Sequence, residues 1–412
     1  MGVLGPTFRW AALEALVSDE ARLQAMLDFE AALARAESRL GVIPPSAAPA
    51  IARSCVVARI DQEALARDAA LAGNPAIPLV KQLTLLVEKD DADASRFVHW
   101  GATSQDVMDT GLVLQLRSVL ALVEGELARL SQAIAGLADR HRATVLAGRT
   151  WMQQAAPVTL GLKAAGWLDA VERHRARLRE VKGRVLVLQL GGAVGTLAAL
   201  GGKGLEVAEA LGDELKLAVP AIPWHAQRDR PAEVAAALGL GAGTLGKIAR
   251  DLALHAQTEV GELLEPAAPG RGGSSTLPHK QNPVASAVAL AAAVRIPGLV
   301  STMLAAMVQE DERGLGGWPA EWEALPEILS LFGGSLHHLT EALVGLRVDP
   351  ARMEKNLEAT KGLVFAEAVQ TALSRRTGRA AAQHMVQAAC ARARQADRPL
   401  FDVLAEDAEV TA

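Results

Sequence analysis

Apolar residues recur every three to four positions along most of the chain, the spacing of one face of an α-helix. In the run ARLQAMLDFEAALARAESRLG, Met26, Phe29, Leu33, Ala36 and Leu40 fall on a single face, and Gly41 follows its end. The same pattern predicts long helices over 107–141, 157–190 and 246–265, and a fourth that starts at Pro283 and continues past Met307. Gly111 and Gly125 lower the helix propensity of the first without breaking its period. Helices of roughly twenty to thirty-five residues with broad apolar faces imply a bundle tens of ångströms long. The stretch VASAVALAAAV, 284–294, carries no polar residue except Ser286. A helix apolar all round is normally buried on every side, so the pattern predicts a homo-oligomer whose subunits share this bundle.

Composition supports helices over sheets. Half of the 412 residues are hydrophobic, yet aromatics make up only 3% and tyrosine is absent, so alanine and leucine fill the core. The length predicts two or three domains, and the loops before the first long helix and at Val348-Asp349-Pro350 divide the chain into 1–103, 104–347 and 348–412. The formal net charge is -5 with both signs mixed throughout, and no basic stripe with interleaved aromatics marks a nucleic-acid binder. Cys55 and Cys390 lie far apart, with neither a disulfide framework nor a metal spacing, which predicts a reducing cytoplasm. Arg9 and the acidic residues after it interrupt the N-terminal segment before a signal-like core develops. The longest uncharged run, 185–202, approaches the length of a short membrane span. Its Gln189, Thr196 and five glycines fit a helix end leading into a glycine-rich loop better, and no membrane span is expected.

Three polar loops each precede a predicted helix. In GRGGSSTLPHKQNP, 270–283, Asn282 is a good N-cap and Pro283 a good first helical residue. The loop presents Ser274, Ser275, His279 and Lys280 beside the positive end of a helix, a combination suited to an anion or to charge that develops in a reaction. In RFVHWGATSQD, 96–106, Thr103 and Asp106 have the spacing of a capping box. In GRTWMQQAAP, 148–157, the closing proline can start a helix. Each loop taken alone also fits a capped helix with no ligand.

Several familiar sites are excluded. GAGTLGKI, 241–248, places Ile248 where a P-loop needs a magnesium-binding hydroxyl, and no strand precedes it. Gly191-Gly192 lacks the βαβ unit of a dinucleotide fold. No serine sits in a G-x-S-x-G elbow. His337 and His338 are adjacent on a predicted helix and point apart, so no metal site is expected there.

Together the three loops resemble the signature regions of the fumarase/aspartase superfamily, in the right order. Gly273 to Pro283 is similar to G-S-S-x-M-P-x-K-x-N-P with Leu277 for methionine, a volume-conserving change. His99 to Asp106 resembles H-x-G-x-T-S-x-D, Gly148 to Gln153 resembles G-R-T-H-x-Q, and Gln257-Thr258-Glu259-Val260 matches a stretch common upstream of the signature. The departure that sorts the subfamily is Trp151, where the lyases generally carry a histidine that moves protons. An indole has only a donor N–H and cannot take that role. The carboxymuconate cycloisomerases resemble the chain at this tryptophan and at GNPAIPLV (73–80), PWHAQRDR (223–230) and ERGLGGWP (312–319).

That resemblance implies an all-α, three-domain, fumarase/aspartase-like fold. Its central long-helix bundle would form the core of a cytoplasmic homotetramer, each active site gathering the three regions from three subunits. It implies closure of 3-carboxy-cis,cis-muconate, a small anionic tricarboxylate, to a carboxymuconolactone, with no cofactor and no metal. Lys280 and Asn282, with the helix start behind them, would stabilise a developing aci-carboxylate, and Ser275 would transfer the proton. Thr103, Ser104, Gln153 and Arg313 would hold the remaining carboxylates, with Trp151 and Ser274 lining the site and Arg96 and His99 behind it. His279 and His141 are rival proton carriers, each more readily structural. A fumarate-releasing lyase such as adenylosuccinate lyase, a non-catalytic scaffold and a cycloisomerase of a sulfonated muconate stay open. Region 348–412 is short for the family, which raises the expectation of a truncated C-terminus.

Overall fold

The computed structural model describes residues 3–267, 270 and 272–411. Helices dominate and the strands form only small two-stranded sheets. The chain divides into two compact units. The first takes the residues up to 128 with Arg173–Gly246 and Val288–His337; the second takes Arg129–Glu172, Lys247–Ala287 and the residues from His338 on.

In the first unit, helix α1 (Asp19–Arg39) begins where the Ser18 hydroxyl accepts a hydrogen bond from the Ala21 N–H, with Asp19 and Glu20 in the first turn. The predicted face is buried at Met26, Phe29, Leu33 and Ala36, and Leu40 packs at its edge. Glu30 and Glu37 lie on the same buried face. Helix α2 (Ser104–Arg140) runs for 37 residues, ~55 Å. Gly111 serves its packing: a Cβ there would sit 3.0 Å from the Met26 side chain, so the missing methyl lets α1 and α2 approach closely.

Three predicted helices have their ends corrected. The helix expected over 157–190 is α3 (Leu160–Val185), because Pro157 is held in a strand. Beyond Val185 the backbone leaves the helix and turns through the glycines at 191, 192 and 195, so the uncharged run is a helix end and a loop. The helix expected over 246–265 is α4 (Asp229–His255); it starts much earlier and stops before the Gln257–Glu265 stretch. Helix α5 (Val284–Ala305) begins one residue later than the proline predicts and stops short of Met307, which it was expected to pass. It is long and apolar enough to cross a membrane, and about a third of it is buried within the chain. Helix α6 (Gly317–Val344) completes the long elements.

The second unit holds an antiparallel hairpin, β1 (Val145–Thr150) and β2 (Gln153–Thr159), in which Ala147 pairs with Pro157 and Thr150 with Gln153. A shorter pair, β3 (Leu263–Leu264) and β4 (Arg347–Val348), precedes the C-terminal helices.

Candidate functional site

In the first unit the start of α2 is tied to two distant segments by one carboxylate. Asp106 is fully buried and each of its oxygens accepts two hydrogen bonds. Oδ2 takes the backbone N–H groups of Thr103 (3.0 Å) and Gly192 (2.9 Å); Oδ1 takes the N–H of Gly191 (2.9 Å) and Nε2 of His225 (2.7 Å). The bond to the Thr103 N–H is one half of the expected capping box. The other half is not made. Thr103 Oγ1 instead accepts from the Arg313 guanidinium at 3.2 Å, and the same nitrogen donates to the Ala193 carbonyl at 3.1 Å. Arg313 Nε is buried without a partner among the described residues, so this guanidinium keeps an unsatisfied donor.

The neighbouring loop is strained and charged. His99 is a non-glycine residue at φ +60°, and Gly101 at +71° brings its backbone against Leu200, where a Cβ would lie 2.5 Å away. His99 Nδ1 meets Glu30 Oε1 of α1 at 2.6 Å. Burial disfavours the imidazolium, but the charge and hydrogen bond of Glu30 outweigh it and raise the His99 pKa. Glu37, about two turns beyond Glu30 on α1, has both carboxylate oxygens buried without partners among the described residues. Burial and the nearby Glu30 charge push its pKa up to about 9. Ser104 opens α2 and is half-buried. Arg96 is largely exposed in a 3-10 turn, 3.9 Å from Asp93, and touches none of these groups.

One turn along α2 from Asp106, Asp109 accepts both terminal nitrogens of Arg228 at 2.7 and 2.9 Å. Arg228 also grips Glu321 of α6 at 2.9 and 2.7 Å, and all three side chains are buried. The block 223–230 is therefore internal scaffolding: Trp224 bonds to Gln189 and Leu188, His225 to Asp106, and Arg228 to Asp109 and Glu321.

The second unit carries the other two loops. The hairpin tip is a two-residue turn in which Trp151 and Met152 both have positive φ, +50° and +65°. Such turns favour Asn-Gly, so bulky residues here are strained, and Trp151 is 97% exposed. Gln153, the first residue of β2, is also exposed. Below the tip, Arg149 makes a two-pronged pair with Glu262 at 3.0 and 2.7 Å, and Glu262 also receives His255 and Asn356. Burial opposes ionisation of Glu262, but the bonds from His255, Arg149 and Asn356 prevail and hold its pKa down at about 2. The base of the strained tip is thus anchored by a permanent charge pair.

In the signature loop a bridge pairs Gly273 with Gln281, and the Asn282 N–H bonds to the Gly272 carbonyl at 2.8 Å. Gly272 is required there: it sits at φ +67°, and a Cβ would lie 2.5 Å from the Asn282 oxygen. The Ser274 hydroxyl oxygen accepts the Thr276 and Leu277 N–H groups, which shapes the turn and leaves its own proton available. Ser275 and Lys280 are exposed, and Asn282 is half-buried. Arg271 lies outside the described residues.

The helix start behind this loop differs from expectation. The N–H groups of Ala285 and Ser286 donate to the Glu265 carboxylate at 3.0 and 2.8 Å, and the Ser286 hydroxyl adds a third bond at 2.7 Å. An internal anion already occupies the positive end of α5, so those amides are not free to stabilise charge on a substrate.

The structure therefore joins Thr103 to Arg313 and His99 to Glu30, and it builds Trp151 with Gln153 into one hairpin and Ser274, Ser275, Lys280 and Asn282 into one loop. Among the described residues no hydrogen bond links these groups to one another. His141, a candidate proton carrier, bonds to Thr144 at 3.0 Å, a local structural contact. Sequence reasoning missed Glu30, Glu37, Glu265 and the hub at Asp106. The two acids on α1 left a readable signal, since they interrupt an otherwise apolar face seven residues apart.

The sequence profile of the lyase family matches residues 10–298. The chain is 59% identical over 405 residues to a 3-carboxy-cis,cis-muconate cycloisomerase of Pseudomonas aeruginosa, covering 98% of this chain and 88% of that one. It is 53% identical over 405 residues to the enzyme of the same name from Pseudomonas putida, covering 98% and 96%. The solved structure of a 3-carboxy-cis,cis-muconate lactonizing enzyme from Pseudomonas putida covers 100% of this chain and 92% of its own, with a TM-score of 0.95 and 51% identity.

Proposed function

The chain belongs to the lyase family of the fumarase/aspartase superfamily, and from that premise we propose that it is a cycloisomerase that closes 3-carboxy-cis,cis-muconate to a carboxymuconolactone. The observation that carries this reading is the near full-length likeness, at 59% identity, to an enzyme of that name. Trp151 supports it, because an indole at the hairpin tip cannot do the proton work of a fumarate-releasing lyase.

The chemistry asks for positioning and charge neutralisation. One substrate carboxylate oxygen adds to a carbon–carbon double bond of the same molecule, forming the ring C–O bond. The displaced electron pair moves onto the carbon next to another carboxylate, as an aci-carboxylate, and is quenched by forming a C–H bond. Three carboxylates become two and a lactone, so one proton is taken up per turnover. The step is intramolecular, and holding a near-attack conformer supplies several kcal/mol, on the order of what effective-molarity comparisons give.

Each residue then has a task. Arg313, with its unsatisfied Nε donor, and Thr103 bind one carboxylate, and a planar guanidinium suits that work. Ser104 and Gln153 hold a further carboxylate, with Trp151 and Ser274 lining the site. Lys280 and Asn282 neutralise the aci-carboxylate, and Ser275 delivers the proton. Lys280 carries this charge without help from the Ala285 and Ser286 amides, which Glu265 occupies. His99 and Arg96 stand further back; Glu30 favours the charged form of His99 and fixes its ring behind the loop.

The site is completed in a cytoplasmic homotetramer, with regions 1–103, 104–347 and 348–412 as its domains and the central one forming the shared bundle. Only about a third of the apolar stretch of α5 is fully buried within one chain, and its exposed residues form a surface that calls for partner helices. The direct test is loss of the muconate absorbance when purified protein meets 3-carboxymuconate without added metal or nucleotide. Release of fumarate from a succinylated substrate would replace this reading with a lyase, and turnover only of a sulfonated muconate would change the substrate.

A further inference from the structure

We infer that His225, acting through Asp106, is a positioning residue for the carboxylate-binding arm formed by Thr103 and Arg313. The inference rests on the reading of that arm given above and adds a residue outside the signature regions.

The geometry is a closed circuit. Arg313 bridges Thr103 Oγ1 and the Ala193 carbonyl. The backbones that carry those two acceptors are pinned by one side chain, since Asp106 accepts the N–H groups of Thr103, Gly191 and Gly192. His225 Nε2 is the fourth donor to that carboxylate, and the only one from a side chain among the described residues. Its ring is 4% exposed and lies against Gly191, where a Cβ would come within 2.8 Å of the imidazole Cε1. Gly192 has φ +69°, and a Cβ there would be 3.0 Å from the Gly101 carbonyl. Both glycines are needed: one so that His225 can close on Asp106, the other so that the turn can pass under the loop before Thr103.

His225 is itself held from behind. Its carbonyl accepts from Gln105 at 2.9 Å, and the adjacent Trp224 is bonded through both its backbone and its indole nitrogen. The imidazole is therefore a fixed donor that sets where the Asp106 carboxylate sits. A buried carboxylate deprived of one such donor re-aims towards its remaining partners. A shift of a few tenths of an ångström in Thr103 or Ala193 would spoil a two-point arginine clamp.

The test is steady-state kinetics with 3-carboxymuconate on H225M, H225Q, R313Q and the double variant H225M/R313Q, with hydrogen exchange by mass spectrometry. Methionine fills the volume without a donor, whereas the glutamine amide can still reach Asp106. H225M should raise KM on the order of tenfold and change kcat much less, and H225Q should recover most of that loss. In the R313Q background H225M should add no further rise, because the clamp it positions is already gone. Exchange should quicken in H225M over 98–106 and 189–194 and stay near the parent rate in H225Q.

An unchanged KM in H225M, a full additional rise in the double variant, or an H225Q as impaired as H225M would overturn the inference. If H225M does not assemble, H225Q decides alone: parent-like KM and exchange support a donor role, and a large KM rise refutes it. An unchanged KM in R313Q would sink the carboxylate-arm reading instead, while local exchange changes in H225M would still uphold the link from His225 to the two backbones.

Discussion

Replacing Arg228 by methionine leaves two buried carboxylates facing each other without their cation. In the intact protein Arg228 makes four bonds of 2.7 to 2.9 Å, two to Asp109 and two to Glu321, and the side chains are only 1%, 2% and 3% exposed. Breaking a buried ion pair from one side typically costs about 3–5 kcal/mol, because the stranded charge is worse than no pair at all. Glu321 already feels this balance: burial raises its pKa although Arg228 pulls it down. Without the arginine that pull is gone and Glu321 rises further, so the folded state prefers it protonated where the unfolded state ionises it. The penalty of R228M should therefore be largest at pH 7 and shrink towards pH 5. Equilibrium unfolding in urea at fixed protein concentration measures it. Neutralising the partners as well, in R228M/D109N/E321Q, should recover most of the loss. A cost below about 1 kcal/mol at pH 7 would refute the argument, as would equal costs at pH 5 and pH 7.

Three further outcomes follow from the site. Ser275→Ala should lower kcat by orders of magnitude while the oligomer, checked by light scattering, stays intact; near-normal turnover would move proton transfer elsewhere. Lys280→Met should damage kcat more than KM, costing about 3–4 kcal/mol in the transition state, and a pure KM effect would make Lys280 a binding group only. Glu37 has a folded pKa near 9, well above the ordinary carboxylic range, so the unfolded chain releases its proton first as pH rises. That group's contribution is fully present at low pH and is lost as pH climbs towards 9. Glu37→Gln should flatten the decline and gain on the order of 3 kcal/mol at pH 7; a stability curve parallel to the parent's would contradict it.

The helical bundle was legible because its evidence is local and periodic. The start of α2 was readable from Thr103 and Asp106, three positions apart, and half of the predicted box is made. The hairpin was not readable: Pro157 is as acceptable in an exposed strand as at a helix start, and Trp151-Met152 carries none of the Asn-Gly chemistry that marks a two-residue turn. Those two residues hold left-handed backbone against their own preference, which only the surrounding structure can impose. The hub at Asp106 was hidden for another reason. Its partners at Gly191, Gly192 and His225 lie 85 to 119 residues away, and no period connects them. The helix start at α5 looked like a ready anion site, but nothing in the loop's own sequence says that Glu265, upstream of the loop, already fills it.

That groups on different protomers share one substrate, as proposed above, is tested most directly by mixing two impaired proteins. Arg313 sits with Thr103 in one chain, whereas Ser275 would be supplied to that substrate by another. Unfolding and reassembling Ser275→Ala and Arg313→Gln together in equal amounts should give hybrid assemblies in which, with sites shared between chains as proposed, about a quarter carry both intact residues. At a substrate concentration near the parental KM the mixture should regain about that fraction of parental turnover, well above the sum of what the two variants show when each is reassembled alone. Verified mixed assemblies with no turnover beyond that sum would contradict the shared site.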